Sequence, residues 1–542
     1  MATTSHSRDR TTASMQIPLT DLESAPPSFQ RPDQYASWNG SSHTSASDVT
    51  ESNGLAPKPA ATDWDWIDYS EDVFSNMMIA LVPSFLQKHV GGVAPEPAKL
   101  HAIAALDGLR GWACLLVFNF HLLFTYTWQV SIGWGFAGGN FGIHQLPFLH
   151  LFISGHIMVA IFFVLSGYVL SYKPLKTIRG HSFEQTFTVL ASSTFRRALR
   201  LYIPPFVGLA SVFVAVRMGL YNYSWVVIRE GHTILGTNEE HPPVFRTASD
   251  QFWDLYSTVA RLINVFDYNL FYNNYNPHLW TIPVELRCSI ILFLTILATS
   301  RLKTVFRMSL VANLMWFSSR YGRWDVILFL AGMLMAEIDL INGTWERPVI
   351  PAANAGDDKI HLTHGGRIMV NISRRTVWII VFVLGLYFGS SPNLGFKWTP
   401  GYMWLWHYTP STYGEPHRFP QAIGAALIVF SINHSPDIQK LFTAPLSQYL
   451  GKISFAFYIV HGPILHALGY ALMPNIWYYT GKESNFQFCF GLLIGYCILL
   501  PICICVGDFF WRYVDIPSVK FARWVESYVT VGKTTSEPKP SG

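Results

Sequence analysis

Charge is scarce in this sequence: Asp, Glu, Lys and Arg make up 13% of its 542 residues, where a soluble domain carries about 25%. The shortfall falls in runs rather than evenly, which excludes an ordinary soluble fold. Cysteines number only six, Cys114, Cys288, Cys489, Cys497, Cys503 and Cys505, and almost all lie inside apolar runs. None shows the paired spacing of a zinc site or a disulfide framework, so no metal is expected and they read as small apolar packing residues. Basic residues do not gather into one stripe with aromatics, and the net charge is +4, which excludes a nucleic-acid partner. The N-terminal region lacks the apolar core of a secretory signal peptide. No internal repeat of the kind found in many transporters is present.

What the chain does have is hydrophobic length: 50% of residues are hydrophobic and mean hydropathy is +0.25. Several apolar runs approach the roughly 20 residues that a helix needs to cross about 30 Å of hydrocarbon. We count ten, over 104–126, 148–171, 199–219, 280–299, 304–319, 324–341, 376–391, 420–435, 448–471 and 487–510. The expected fold is an all-α, polytopic integral membrane bundle of about ten transmembrane helices, occupying 101–515. Residues 1–60, rich in Ser, Thr, Pro and Ala, read as a disordered cytosolic tail. The segment 61–100, where Trp64, Trp66, Phe74 and Phe85 mix with acidic residues, reads as interfacial and amphipathic. Residues 516–542 read as a cytosolic C-terminal tail.

Lys and Arg favour the cytosolic side of short loops. They cluster at Lys173 to Arg200, at Arg301 to Arg307 and at Arg347 to Arg375, after the second, fourth and sixth runs. Both termini are therefore expected in the cytosol, in an endomembrane such as the endoplasmic reticulum. The long third loop, about 220–279, faces the lumen on this reading.

Ionisable residues inside a span are costly and mark function. The first run holds Asp107, Arg110 and His121. Arg110 and His121 lie within roughly 20° on one helix face and about 16 Å apart along it. Glu285, five residues beyond Trp280, and His461 are expected at nearly the depth of His121. Arg197 and Arg200 open the third run and can share the cytosolic mouth with Arg110. Guanidinium forks suit phosphates. The division of labour fits transfer of an acyl group from a CoA thioester to a hydroxyl: arginines for the carrier's phosphates, His121 as base, and Glu285 orienting it. His121 as a transient acyl carrier is an alternative. A proton-coupled transporter is the rival reading, since buried His, Glu and Arg serve proton relays as well.

The stretch Leu106-Asp107-Gly108-Leu109-Arg110-Gly111 followed by His121 resembles the Arg-x10-His signature of the acyltransferase family 3 membrane proteins. Phe162 to Tyr168, Arg197 to Leu201, Trp280 to Glu285 and Gly451 to His461 match further motifs in family order. The resemblance implies a ten-helix bundle, an acyl-CoA donor (acetyl-CoA being the expected one) bound from the cytosol at Arg197 and Arg200, His121 as the catalytic group and Glu285 as its acidic partner. Thr281, Ile282 and Phe455 depart from the usual Ser, Leu and Tyr, which blurs the acceptor side. The Ser-rich tail and large third loop look like those of fungal members, for which a secondary metabolite, a lipid alcohol or a sugar would be the acceptor.

Overall fold

A computed structural model describes residues 82–89, 100–101, 103–230, 233–236, 239, 241–345, 359–364 and 367–530. The expected tail over 1–60, most of the interfacial segment and residues 531–542 lie outside them. The chain is overwhelmingly helical. Helices α1 (Ala104–Phe124), α2 (Gly155–Arg179), α3 (Phe183–Arg217), α4 (Asn222–Glu230) and α5 (Ala248–Ile263) come first. A short Pro277–Trp280 turn then leads into α6 (Thr281–Thr299), followed by α7 (Thr304–Arg320) and α8 (Trp324–Asn342). Strands β1 (Lys359–His364) and β2 (Arg367–Ser373) pair antiparallel and form the only sheet among the described residues. Helices α9 (Arg374–Gly389), α10 (Met403–Tyr408), α11 (Arg418–His434), α12 (Pro436–Thr443) and α13 (Pro445–Ile464) complete the centre of the bundle. A π-turn over Leu465–Gly469 continues α13 into α14 (Tyr470–Thr480). Helix α15 (Asn485–Phe510) runs through a second π-turn into α16 (Ile516–Val529).

Every one of the ten apolar runs lies on a helix. Five helical stretches are long and apolar enough to cross a bilayer by length and composition: Gly155–Arg179, Phe183–Arg217, Pro277–Thr299, Pro445–Thr480 and Asn485–Val529. The protein is thus a multi-pass helical membrane protein. Two boundaries differ from the hydropathy reading. The second run was placed at 148–171, but Leu149–Ile153 forms a separate 3-10 turn entered through Phe148 at φ 68°, so the helix begins at Gly155. The third run starts at Phe183 rather than 199, because the Ser- and Arg-rich stretch before the apolar part is already helical. Residues 516–529, expected as tail, form α16, which packs on α3 with Glu526 paired to Arg196 at 3.1 Å.

Small residues set how closely the helices pack, as expected where lipid gives no hydrophobic drive for helix association. A Cβ on Gly111 would sit 2.4 Å from the Gly451 nitrogen, and one on Gly451 would sit 2.5 Å from the Asp107 carbonyl oxygen. Helices α1 and α13 therefore touch backbone to backbone. Gly167 and Gly332 do the same for α2 and α8. Buried polar groups tie the layers. Asp339 of α8 accepts from Tyr168 of α2 at 2.6 Å and from Asn433 of α11 at 2.9 Å, and pairs with His434 at 3.2 Å. The outer faces carry exposed apolar side chains, among them Leu294, Val305, Phe306, Leu310, Ile380 and Val383, as a lipid-facing surface requires.

Candidate active site

The contact between α1 and α13 brings His121 beside His461, with ring centroids 5.6 Å apart. The turn before α6 adds His278, which sequence reasoning missed. Its Nε2 lies 2.9 Å from His121 Nδ1, and its ring is 4.8 Å from that of His461. Gly462, next to His461, makes room: a Cβ there would lie 2.2 Å from His278 Nδ1. Tyr458 of α13 donates its hydroxyl to the His278 carbonyl and fixes the turn from below.

The carboxylate at this level is Glu239, from the third loop, and not Glu285. Glu239 is buried, with Oε1 3.1 Å from His121 Nδ1 and Oε2 2.8 Å from His466 Nε2 on the π-turn. Burial alone would raise its carboxyl, but the imidazoles of His121, His278 and His466 outweigh that and hold it well below the ordinary value. Glu285 instead accepts from Ser166 at 2.9 Å and pairs with Arg197, whose Nε donates to Ser289 at 3.2 Å. The level estimate went wrong because it equated Glu285 with His121, whereas the Pro277–Trp280 turn sets His278 at that level and leaves Glu285 about two helical turns further along.

Hydrogen bonds assign the tautomers. Asn276 Nδ2 donates to the Ile459 carbonyl at 2.9 Å, so its Oδ1 faces His278 Nδ1, 3.3 Å away, and that nitrogen carries a proton. Neutral His278 then offers a lone pair at Nε2. His121 Nδ1 must be the donor in their contact, shared with Glu239, which leaves the lone pair of His121 on Nε2. His121 keeps 19% of its side chain accessible, against 3% for Glu239 and 2% for His278, and its Nε2 has no partner among the described residues. An accessible imidazole with a basic outer nitrogen and a carboxylate behind the inner one is the arrangement of a general base. His461 donates Nδ1–H to the Tyr458 carbonyl at 2.7 Å and has its Nε2 buried without a partner. Ring nitrogens of His121, His278 and His461 lie within 4.8 Å of one another, as do donor atoms of Glu239, His278 and His466. A cation would find donor atoms in either set, though the hydrogen-bond chain occupies His121, His278 and Glu239 without one.

The expected arginines gather at the far end of α1. Arg110 donates to Ser454 and to the Gly451 carbonyl of α13, both at 2.9 Å, with 41% of its side chain accessible. Arg197 is committed to Glu285 and Arg196 to Glu526. Arg200 alone of this group makes no hydrogen bond or ion pair with a described residue. It lies within electrostatic reach of Arg110, Arg196, Arg197 and Asp515. Its side chain is exposed although protein surrounds it densely, which is the condition of a group facing a cleft inside the bundle.

A sequence profile for an acyltransferase domain matches residues 103–512, so that helical bundle and site are those of a membrane acyltransferase. The chain belongs to acyltransferase family 3, the family its motifs resemble. It is similar to the O-acetyltransferase PaAT-1 of Phomopsis amygdali, 31% identical over 84% of this chain and 92% of that protein. It is also similar to acyltransferase clz18 of Cochliobolus lunatus, 27% identical over 78% and 95%, and to acyltransferase R4 of a Phoma species, 28% identical over 79% and 96%. No solved structure matches it.

Proposed function

We propose that the protein moves an acyl group, acetyl by analogy with the name of one fungal relative, from acyl-CoA to a hydroxyl of a small-molecule, lipid or sugar acceptor. The observation that carries the reading is the His121 imidazole, accessible on its basic edge and backed by Glu239 and His278. His121 Nε2 takes the acceptor's O–H proton as that oxygen attacks the thioester carbonyl carbon. The C–S bond breaks, and the imidazolium returns the proton to the leaving thiolate, giving an ester and free CoA. Glu239 stabilises the imidazolium between the two steps. His461 packs against both imidazoles and shapes the wall behind them.

Arg200, and the uncommitted donors of Arg110, hold the CoA phosphates. Arg197 shapes that cleft through Glu285 rather than gripping phosphate itself. The pantetheine arm spans the distance to His121, about 16 Å along α1. All ten apolar helices cross the bilayer with both termini cytosolic, in an endomembrane, so that CoA enters from the cytosol. The reading is supported by the alternation of basic loops and by the separation of cationic cleft and imidazole cluster. Purified protein given labelled acetyl-CoA and an extract of a deletion strain, in which the unacylated acceptor accumulates, should release CoA and label one compound. No label transfer with that extract contradicts the proposal.

A further inference from the structure

Helix α5 in the third loop has an apolar face that no part of the described chain covers. At about 100° per residue its side chains divide into three arcs. Gln251, Thr258 and Leu262 are buried and fall within one arc of roughly 40°. Asp250, Asp254, Ser257 and Arg261 occupy a second of roughly 60°. Phe252, Trp253, Tyr256 and Ile263 fill a third of roughly 100°, and all four are exposed, Trp253 by 61%. Their rings touch only one another, Phe252 with Trp253 at 5.8 Å and Trp253 with Tyr256 at 5.6 Å.

The place of α5 says what lies against this face. Its leading end is tied to the end of α3 by Arg217, which donates to the Phe245 carbonyl at 2.9 Å. Its trailing end lies beside Tyr202, fifteen residues back along α3, whose hydroxyl donates to the Leu262 carbonyl at 3.2 Å. The helix therefore runs antiparallel along the apolar part of α3, over about 22 Å of its length. That part of α3 belongs to a stretch long and apolar enough to span a bilayer, and its own outer face exposes Val207 and Val214. The aromatic arc of α5 continues that surface.

We infer that α5 is a re-entrant helix docked on the acyl chains and glycerol region of the membrane leaflet nearest His121, with Phe252, Trp253, Tyr256 and Ile263 as its lipid contacts. The polar arc faces the other way, into the segment that carries the active-site turn. Tyr275 donates to Asp254 at 2.9 Å and receives Gln251 Nε2 at 2.7 Å, while Arg261 stacks over Phe271 at 4.1 Å. Tyr275 precedes His278 by three residues. Membrane docking thereby holds the turn that presents His278 to His121. The lipid contact rests only on the chain spanning a membrane; its meaning for catalysis rests on the acyltransferase reading.

The full-length protein in nanodiscs of phosphatidylcholine and phosphatidylserine tests this without an acceptor. Photoreactive benzoylphenylalanine is placed at position 256 or, at the same depth on the polar arc, at position 257, and adducts are read by mass spectrometry. Several-fold more phospholipid adduct at 256 than at 257 is expected. Equal yields, or cross-links from 256 to a second copy of the chain in place of lipid, overturn the inference. In the same nanodiscs, Trp253→Lys should speed amide hydrogen exchange over residues 270–278, and unchanged exchange there overturns the link to the turn.

Discussion

A single hydrogen-bond chain decides which nitrogen of His121 can act. Asn276 orients His278, His278 and Glu239 orient His121, and the outer nitrogen is left basic. His121→Ala should abolish transfer while leaving the purified, folded yield near wild type. Glu239→Gln keeps the shape but lets the imidazole ring adopt the wrong tautomer and leaves its cation unsupported. Its kcat should fall on the order of 10²- to 10⁴-fold with little change in KM for acyl-CoA. Steady-state kinetics check both, and full activity of Glu239→Gln contradicts the assigned chain. Two arginines one helical turn apart should behave differently. Arg200→Ala removes charged donors to phosphate and should raise KM for acyl-CoA roughly tenfold or more with stability unchanged. Arg197→Ala strands Glu285 in the bundle and should cost about 3 kcal/mol in unfolding measurements.

Elements matter through close approach and through the loop that delivers Glu239. Gly462→Ala drives a methyl group into His278, so activity should drop sharply, with overpacking costing about 1–3 kcal/mol. Thermal unfolding and turnover of the same preparation separate the two effects. The third loop also carries His241, buried against Ser224 at 2.7 Å, and burial lowers its pKa from 6.5 to about 4. Its folded form prefers the neutral ring. Stability from this group is therefore complete above pH 6.5 and is lost as pH falls toward 4, where the unfolded chain binds a proton that the folded one refuses. His241→Gln should flatten that part of the stability-versus-pH curve, and an unaltered slope contradicts the assignment. Hydropathy revealed the helices of the bundle because lipid demands long apolar runs. It could not reveal Glu239, since an acidic residue in an Asn-, Glu- and His-containing loop reads as solvent-exposed until the loop is seen folded inward. His278 was closer to view, two residues before Trp280 in a motif already singled out. Glu285 misled because residue counting gives depth within one helix, whereas its partner depends on how neighbouring helices are staggered.

For the whole molecule, the sequence alone carried the membrane class, the family and the separation of Arg110 from His121. The relatives it matches extend over nearly their full length. What needed three dimensions was the join between the two ends of the site: a cationic cleft around Arg200 and an imidazole cluster, set on the same helix and closed by a loop from elsewhere in the chain. The central claim is that one acyl-CoA molecule occupies both ends at once. Cryo-electron microscopy of the purified protein with a non-transferable thioether analogue of acetyl-CoA tests it most directly. The account predicts phosphate density against Arg200 and Arg110, with the analogue's carbonyl carbon in front of His121 Nε2. Nucleotide density at the opposite end of the bundle, or an analogue whose reactive end stops short of His121, would contradict it.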